Sequence, residues 1–93
     1  MIISFKDKET EKLWNGILTK RIPPAIKQKA LIKLHAINIA LSIRDLEEPF
    51  SNRLEALKGD RLGQYSIRIN QQWRICFEWD NGKASNVEIV DYH

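Results

Sequence analysis

An α+β fold, with two N-terminal helices packed against a small antiparallel sheet, is predicted by three features of this 93-residue sequence. Ile26, Ala30, Leu34, Ile37 and Leu41 recur at spacings of 4, 4, 3 and 4, a helical stripe in the first half of the chain. From Gln64 onward the apolar period becomes two, as in half-buried strands. Asp80-Asn81-Gly82 then separates two alternating stretches, and Asn and Gly accept the positive φ that a tight hairpin demands.

The elements follow in order. Ile3 and Phe5 alternate with polar neighbours and read as a short opening strand. Asp7 is a suitable N-cap for a first helix, with Glu9 and Glu11 in the turn where the helix dipole favours negative charge. That helix runs to about Asn15, with Gly16 as its stop and Leu13, Trp14 and Ile17 as its buried contacts. Pro23-Pro24 opens a second, longer helix, since proline is tolerated at the first helical positions. Adding Ile32, Ala36, Ala40 and Ile43 widens its apolar arc to roughly 200°, more than one packing surface needs, so this helix is expected to touch a second body. Asp45 to Pro49 ends it. In the strands, Tyr65, Ile67 and Ile69 share one face, as do Trp73, Ile75, Phe77 and Trp79, while Val87, Ile89, Val90 and Tyr92 complete a last strand. The coarse order is βααβββ.

Size and composition narrow the function. A chain of this length hides only about 60 to 65% of its unfolded surface, enough for one core, so residues 1–93 read as a single domain. Stretches of apolar residues are too short for a membrane span, and Met1 to Phe5 lacks the pattern of a signal peptide, which predicts a cytoplasmic protein with no membrane contact. The lone Cys76 makes no intrachain disulfide, and with His35 and His93 far apart no metal site or cofactor is expected. Fifteen Lys and Arg against twelve Asp and Glu give a net charge of +3, concentrated in residues 51–74, where Arg53, Lys58, Arg61, Arg68 and Arg74 meet only Glu55 and Asp60. Such a block suits phosphate if the fold gathers it on one face, and is otherwise a solvated surface.

A further clue comes from an assumed register. If the Asn70-Gln71-Gln72 loop sets Ile69 opposite Trp73, Arg68 lies opposite Arg74 on the polar side of the sheet, where like charges repel. A site for a polyanion gains from that pairing on binding. Cutting RNA needs help in removing a 2′-OH proton, stabilisation of the leaving 5′ oxygen, and cations for the crowded phosphorane. Lys58, Arg61, Arg74, Tyr92 and His93 supply these types, and His93 has the ordinary pKa best suited to proton transfer near neutrality. Tyr92 and Tyr65 are candidate stacking surfaces for an unpaired base.

The run from Arg53-Leu-Glu-Ala-Leu-Lys58-Gly-Asp-Arg61 through Tyr65, Arg68, Trp73-Arg74 and Phe77-Glu-Trp79, closed by Val87-Glu-Ile-Val-Asp91-Tyr92-His93, resembles the HigB-type toxins of the RelE superfamily. The resemblance extends over nearly the whole chain. It implies a small RelE-like, microbial ribonuclease-like fold and a toxin that cleaves messenger RNA in the ribosomal A site. It also implies a HigA-like helix-turn-helix antitoxin, with operator DNA bound only indirectly through the complex. The family's active-site positions fall on Lys58, Arg74, Asp91, Tyr92 and His93. Lys58 and Arg74 would hold phosphate, His93 or Tyr92 would move a proton, and Asp91 would orient or assist. A basic residue found in some members three positions before the lysine is Glu55 here. Arg61 and Arg68 are placed as RNA contacts, and Lys20, Arg21, Lys27, Lys29 and Lys33 as a second basic group that meets ribosomal RNA. Two other readings stay open: a ParE-like poison of DNA gyrase, and a non-catalytic module that binds RNA or the ribosome.

Overall fold

The computed structural model describes residues 1–91. Helix α1 spans Lys8–Trp14 and helix α2 spans Pro24–Ile39. They pack on a four-stranded antiparallel sheet of β1 (Glu55–Ala56), β2 (Gln64–Arg68), β3 (Trp73–Asp80) and β4 (Lys83–Asp91), in the order β1-β2-β3-β4. The α+β expectation holds. Among the described residues no helix is long and apolar enough to cross a membrane.

The core lies between one sheet face and the helices. Ile67, Ile69, Trp73, Ile75, Phe77, Val87 and Ile89 meet Leu13, Ile26, Ala30, Leu34 and Ile37, all buried. The alternation that nominated these residues works because successive strand side chains point to opposite faces. The hairpin turn forms at Asn81 and Gly82, both at positive φ (51° and 80°). Asp7 caps α1 by accepting the Thr10 N–H at 3.2 Å, and Gly16 (φ 77°) ends it.

Several features differ from expectation. The opening segment is not a regular strand: it runs parallel to β4 and makes isolated bridges from Ile2 to Ala84 and from Phe5 to Val87. Regular pairing is interrupted because β4 is irregular opposite Phe77, where Asn86 takes φ 51° and gives its N–H to the Ser4 hydroxyl. Ile17 is exposed, since the chain leaves the core once Gly16 turns it. Helix α2 stops at Ile39, well before Asp45, because the Asp45 carboxylate takes the N–H groups of Leu41 and Ser42 and starts a separate 3-10 turn at Ile43–Glu47. Leu41, expected on the buried stripe, is 87% exposed. Finally, β1 was not foreseen, since a two-residue strand carries no periodicity.

The N-terminal segment seals the outer edge of β4. Ile3 donates to Ala84 O and Lys6 to Val87 O, while Val87 N–H donates to Ser4 O. Further along, Ile89 N–H reaches the buried Thr10 hydroxyl at 3.0 Å, and Arg21 donates to Ile89 O at 2.9 Å while pairing with Asp7. An uncovered edge would invite pairing with another chain. Thr10→Val keeps the shape but strips the buried Ile89 N–H of its acceptor. It should therefore cost about 1–3 kcal/mol, read as a lower urea midpoint with unchanged slope.

Candidate active site on the outer face of the sheet

The face of the sheet turned away from the helices carries the polar half of each strand. Its register is the one the sequence suggested: Arg68 pairs with Arg74, Ser66 with Cys76, and Cys76 with Glu88. Residues directly opposite one another share a face, so Arg68, Arg74, Ser66, Cys76 and Glu88 all lie together.

Arg74 is closely held, with 13% of its side chain exposed. Its Nε donates to Ser66 Oγ at 2.9 Å, and its Nη2 donates to Arg53 O at 2.6 Å and to Ser66 O at 3.4 Å. The Glu55 carboxylate, which is over half exposed, stands at 3.7 Å. These neutral acceptors help to fix the fork, and solvent weakens the Glu55 pair. Arg68, facing it, donates from Nε to Asn70 O at 3.0 Å. The loop between them is set by the Asn70 side chain, which accepts the N–H groups of Gln72 and Trp73, each at 2.8 Å.

Lys58 is exposed and leads into a 3-10 turn at Gly59–Arg61, where Gly59 has φ 64°. From that turn Arg61 reaches Gln64 Oε1 at 3.0 Å and Glu88 Oε2 at 3.2 Å, and Lys6 joins the same carboxylate at 3.4 Å. Cys76 lies buried beneath, and burial pushes its thiol up against the opposing pull of Arg61, so it is a packing residue and not a thiolate nucleophile.

Other expected residues land elsewhere. Tyr65 pairs with Phe77 and stacks on it, with ring centroids 6.3 Å apart, so it packs on the core side and is turned away from Arg74. The strand period that places Ile67 in the core sets Tyr65, half-buried, against that core. Asp91 pairs with Trp73, which puts it on the face opposite Arg74, and Gln72 Nε2 donates to both its oxygens at 3.2 Å. The expected roles of Tyr92 and His93 lie outside the described residues.

The second basic group is not one patch. Lys33 is only 8% exposed and its ammonium binds Oδ1 of the fully buried Asn52. Arg21 is engaged by Asp7 and Ile89, and Lys20 lines a separate depression with Lys12 and Glu9. Lys27 is half-buried. Lys29 does reach the sheet side, where it lines an open cleft of about 370 Å³ with Arg68 and Asn70. That cleft shares Arg68, Asn70 and Gln71 with a second one of about 390 Å³, bounded by Arg53 and Arg74. Among the described residues, no carboxylate lines either.

Two contributors escaped the sequence reading. Arg53, counted before only as part of a charge block, supplies the carbonyl that holds Arg74, and it does so from a left-handed backbone conformation (φ 48°) that no glycine advertises. Asn52 anchors this stretch, donating to Leu46 O and Glu48 O at 3.1 Å each.

The fold resembles solved toxin structures. The YoeB–YefM toxin–antitoxin heterotetramer from Staphylococcus aureus superimposes with a TM-score of 0.63 at 18% identity, covering 100% of this chain and 98% of that one. A second YoeB–YefM complex from the same organism gives 0.59 at 19%. The chain thus shares the fold of these structures. In sequence, the family described as the RelE-like toxin HigB of type II toxin–antitoxin systems matches residues 3–93. Toxin HigB-1 of Vibrio cholerae is 38% identical over 90 residues, 96% of this chain and 95% of that toxin. Endoribonuclease HigB of Proteus vulgaris is 37% identical over 93 residues, the full length of both. The chain belongs to the HigB-like toxin family, and as a toxin of a type II system it has an antitoxin partner.

Burial, with Lys29 nearby, holds the Lys33 amine below its ordinary value of 10.5. Between the folded and ordinary values the unfolded chain binds more protons than the folded one, so stability rises with pH across that window. Urea titrations at neutral pH and at about pH 10 should show wild type gaining on Lys33→Met as pH rises. An unchanged difference would mean that the amine is solvated.

Proposed function

We propose that this toxin is a ribosome-dependent endoribonuclease that cleaves messenger RNA in the A site, with the scissile phosphate on the outer sheet face. One observation carries the reading: the Arg74 fork is immobilised by neutral acceptors beside Arg68, in a cleft lined by three arginines and two amides. A preorganised cation of this kind stabilises charge as it develops and needs no rearrangement during reaction. Full-length similarity to a protein named an endoribonuclease favours cleavage over the gyrase and binding-only readings.

In the proposed reaction the RNA 2′ oxygen attacks the adjacent phosphorus as its proton is removed. The bond to the 5′ oxygen breaks, that oxygen is protonated, and a 2′,3′-cyclic phosphate is left. Arg74 and Lys58 take the negative charge of the phosphorane, while Arg61 and Arg68 guide the flanking backbone. His93 and Tyr92 are assigned the proton transfers. Asp91, through its bonds with Gln72, is assigned the task of positioning the end of β4 that leads to them. Lys29 extends the phosphate track toward ribosomal RNA, and a HigA-like helix-turn-helix antitoxin neutralises the toxin and carries it to operator DNA.

Primer extension on a message, with and without translating ribosomes, tests this. Wild type should give cuts only with ribosomes. Arg74→Ala should lose about 100-fold or more in rate, and Arg74→Lys should recover little of it, since one ammonium lacks the planar fork that reaches Ser66 and Arg53 together. His93→Ala should abolish cleavage while antitoxin binding persists. Equal cleavage by Arg74→Lys and wild type would refute the clamp.

A further inference from the structure

Beyond the phosphate clamp, a further cleft of about 580 Å³ borders Arg74, lined also by Glu47, Phe50, Arg53, Leu54 and Glu55. It shares Arg53 and Arg74 with the cleft assigned to phosphate but differs in chemistry. Two carboxylates here disfavour a phosphate, and an aromatic ring is on offer. Phe50 is 79% exposed. Isolated exposed apolar residues are ordinary; this one is held out by a rigid turn. The 3-10 turn Phe50–Asn52 is closed by Asn52 N–H to Pro49 O (2.9 Å) and Arg53 N–H to Phe50 O (3.1 Å). Its Asn52 side chain is buried and bonded to Lys33, Leu46 and Glu48. The guanidinium of Arg53 lies 5.4 Å from the Phe50 ring centroid, while its carbonyl holds Arg74.

An exposed ring flanked by arginine and adjoining a phosphate clamp is the combination that grips single-stranded nucleic acid: bases stack on the ring and cations follow the backbone. We infer that Phe50 and Arg53 form a nucleobase subsite that stacks the base beside the scissile phosphate of single-stranded RNA. The inference rests on the reading of Arg74 as the clamp for that phosphate. Glu47 and Glu55 are acceptors within the same cleft for a base's amino group, whereas the half-buried Tyr65 packs against Phe77.

The test is a cycle on ribosomes with an occupied P site and a vacant A site, using messages intact or lacking one base beside the cut. Removing the base should slow wild type by about 5- to 150-fold, the range that base stacking supplies. Phe50→Ala should slow the intact message by a similar factor and show no further loss on the abasic one, and Phe50→Trp should restore rate and base dependence. Alongside, a 2′-O-methyl oligonucleotide carrying 2-aminopurine should be quenched by wild type and Phe50→Trp but not by Phe50→Ala. Equal base dependence in Phe50→Ala and wild type, with equal quenching, would overturn the subsite. So would a Phe50→Ala variant that cleaves normally but loses its antitoxin, since the ring would then belong to a protein interface. Quenching without cleavage by wild type would instead refute the nuclease reading and leave the base subsite standing.

Discussion

The guanidinium of Arg74 is held by two stretches of chain, Ser66 on the neighbouring strand and the carbonyl of Arg53 just ahead of β1. For both to be in place, β2 and β3 must pair in a single register and the 50–53 turn must sit at a fixed height over the sheet. A slip of one residue would turn Arg74 into the core and Ile75 out to solvent. Register and charge placement are therefore one constraint. The buried run of Ile67, Ile75 and Phe77 enforces the first, and the second follows without further cost.

The turn that supplies the Arg53 carbonyl is fastened by helix α2. Lys33 projects from α2 into the space under this turn and binds Asn52, whose amide satisfies two backbone carbonyls. A buried ammonium is costly unless fully paired. Helix α2 thus has two duties: an apolar stripe that covers the sheet, and one polar strut that sets the turn beside Arg74. Its remaining apolar residues, Ile32 and Ile39, are exposed and serve neither.

Much of this was legible in the sequence, and the reasons are physical. Alternation fixed the two sheet faces, the Asp80-Asn81-Gly82 turn fixed one hairpin, and the Asn70 loop fixed the pairing of Arg68 with Arg74. These are local rules, enforced over a few residues. The end of α2 was misjudged because Asp45 acts through a side-chain bond to backbone three and four residues earlier, which apolar spacing does not register. Likewise the lysines of α2 looked alike in sequence, and both Lys29 and Lys33 border one cleft, yet Lys29 is exposed while Lys33 is buried, a difference that goes with its bond to the distant Asn52. Arg53 was seen as a charge, whereas its structural contribution is a carbonyl. Tyr65 follows the strand parity of Ile67 and packs on Phe77.

The central claim is that the outer sheet face, organised by Arg74, receives the scissile phosphate. It is tested most directly by a structure of the toxin on a ribosome whose A-site message carries 2′-O-methyl at the cleaved position, which removes the nucleophilic proton and leaves the phosphate intact. The account predicts the scissile phosphate within hydrogen-bonding distance of the Arg74 guanidinium, with Ser66 and the Arg53 carbonyl still engaged behind it. A phosphate bound on the helical side, or on the outer face but out of reach of Arg74, would contradict it.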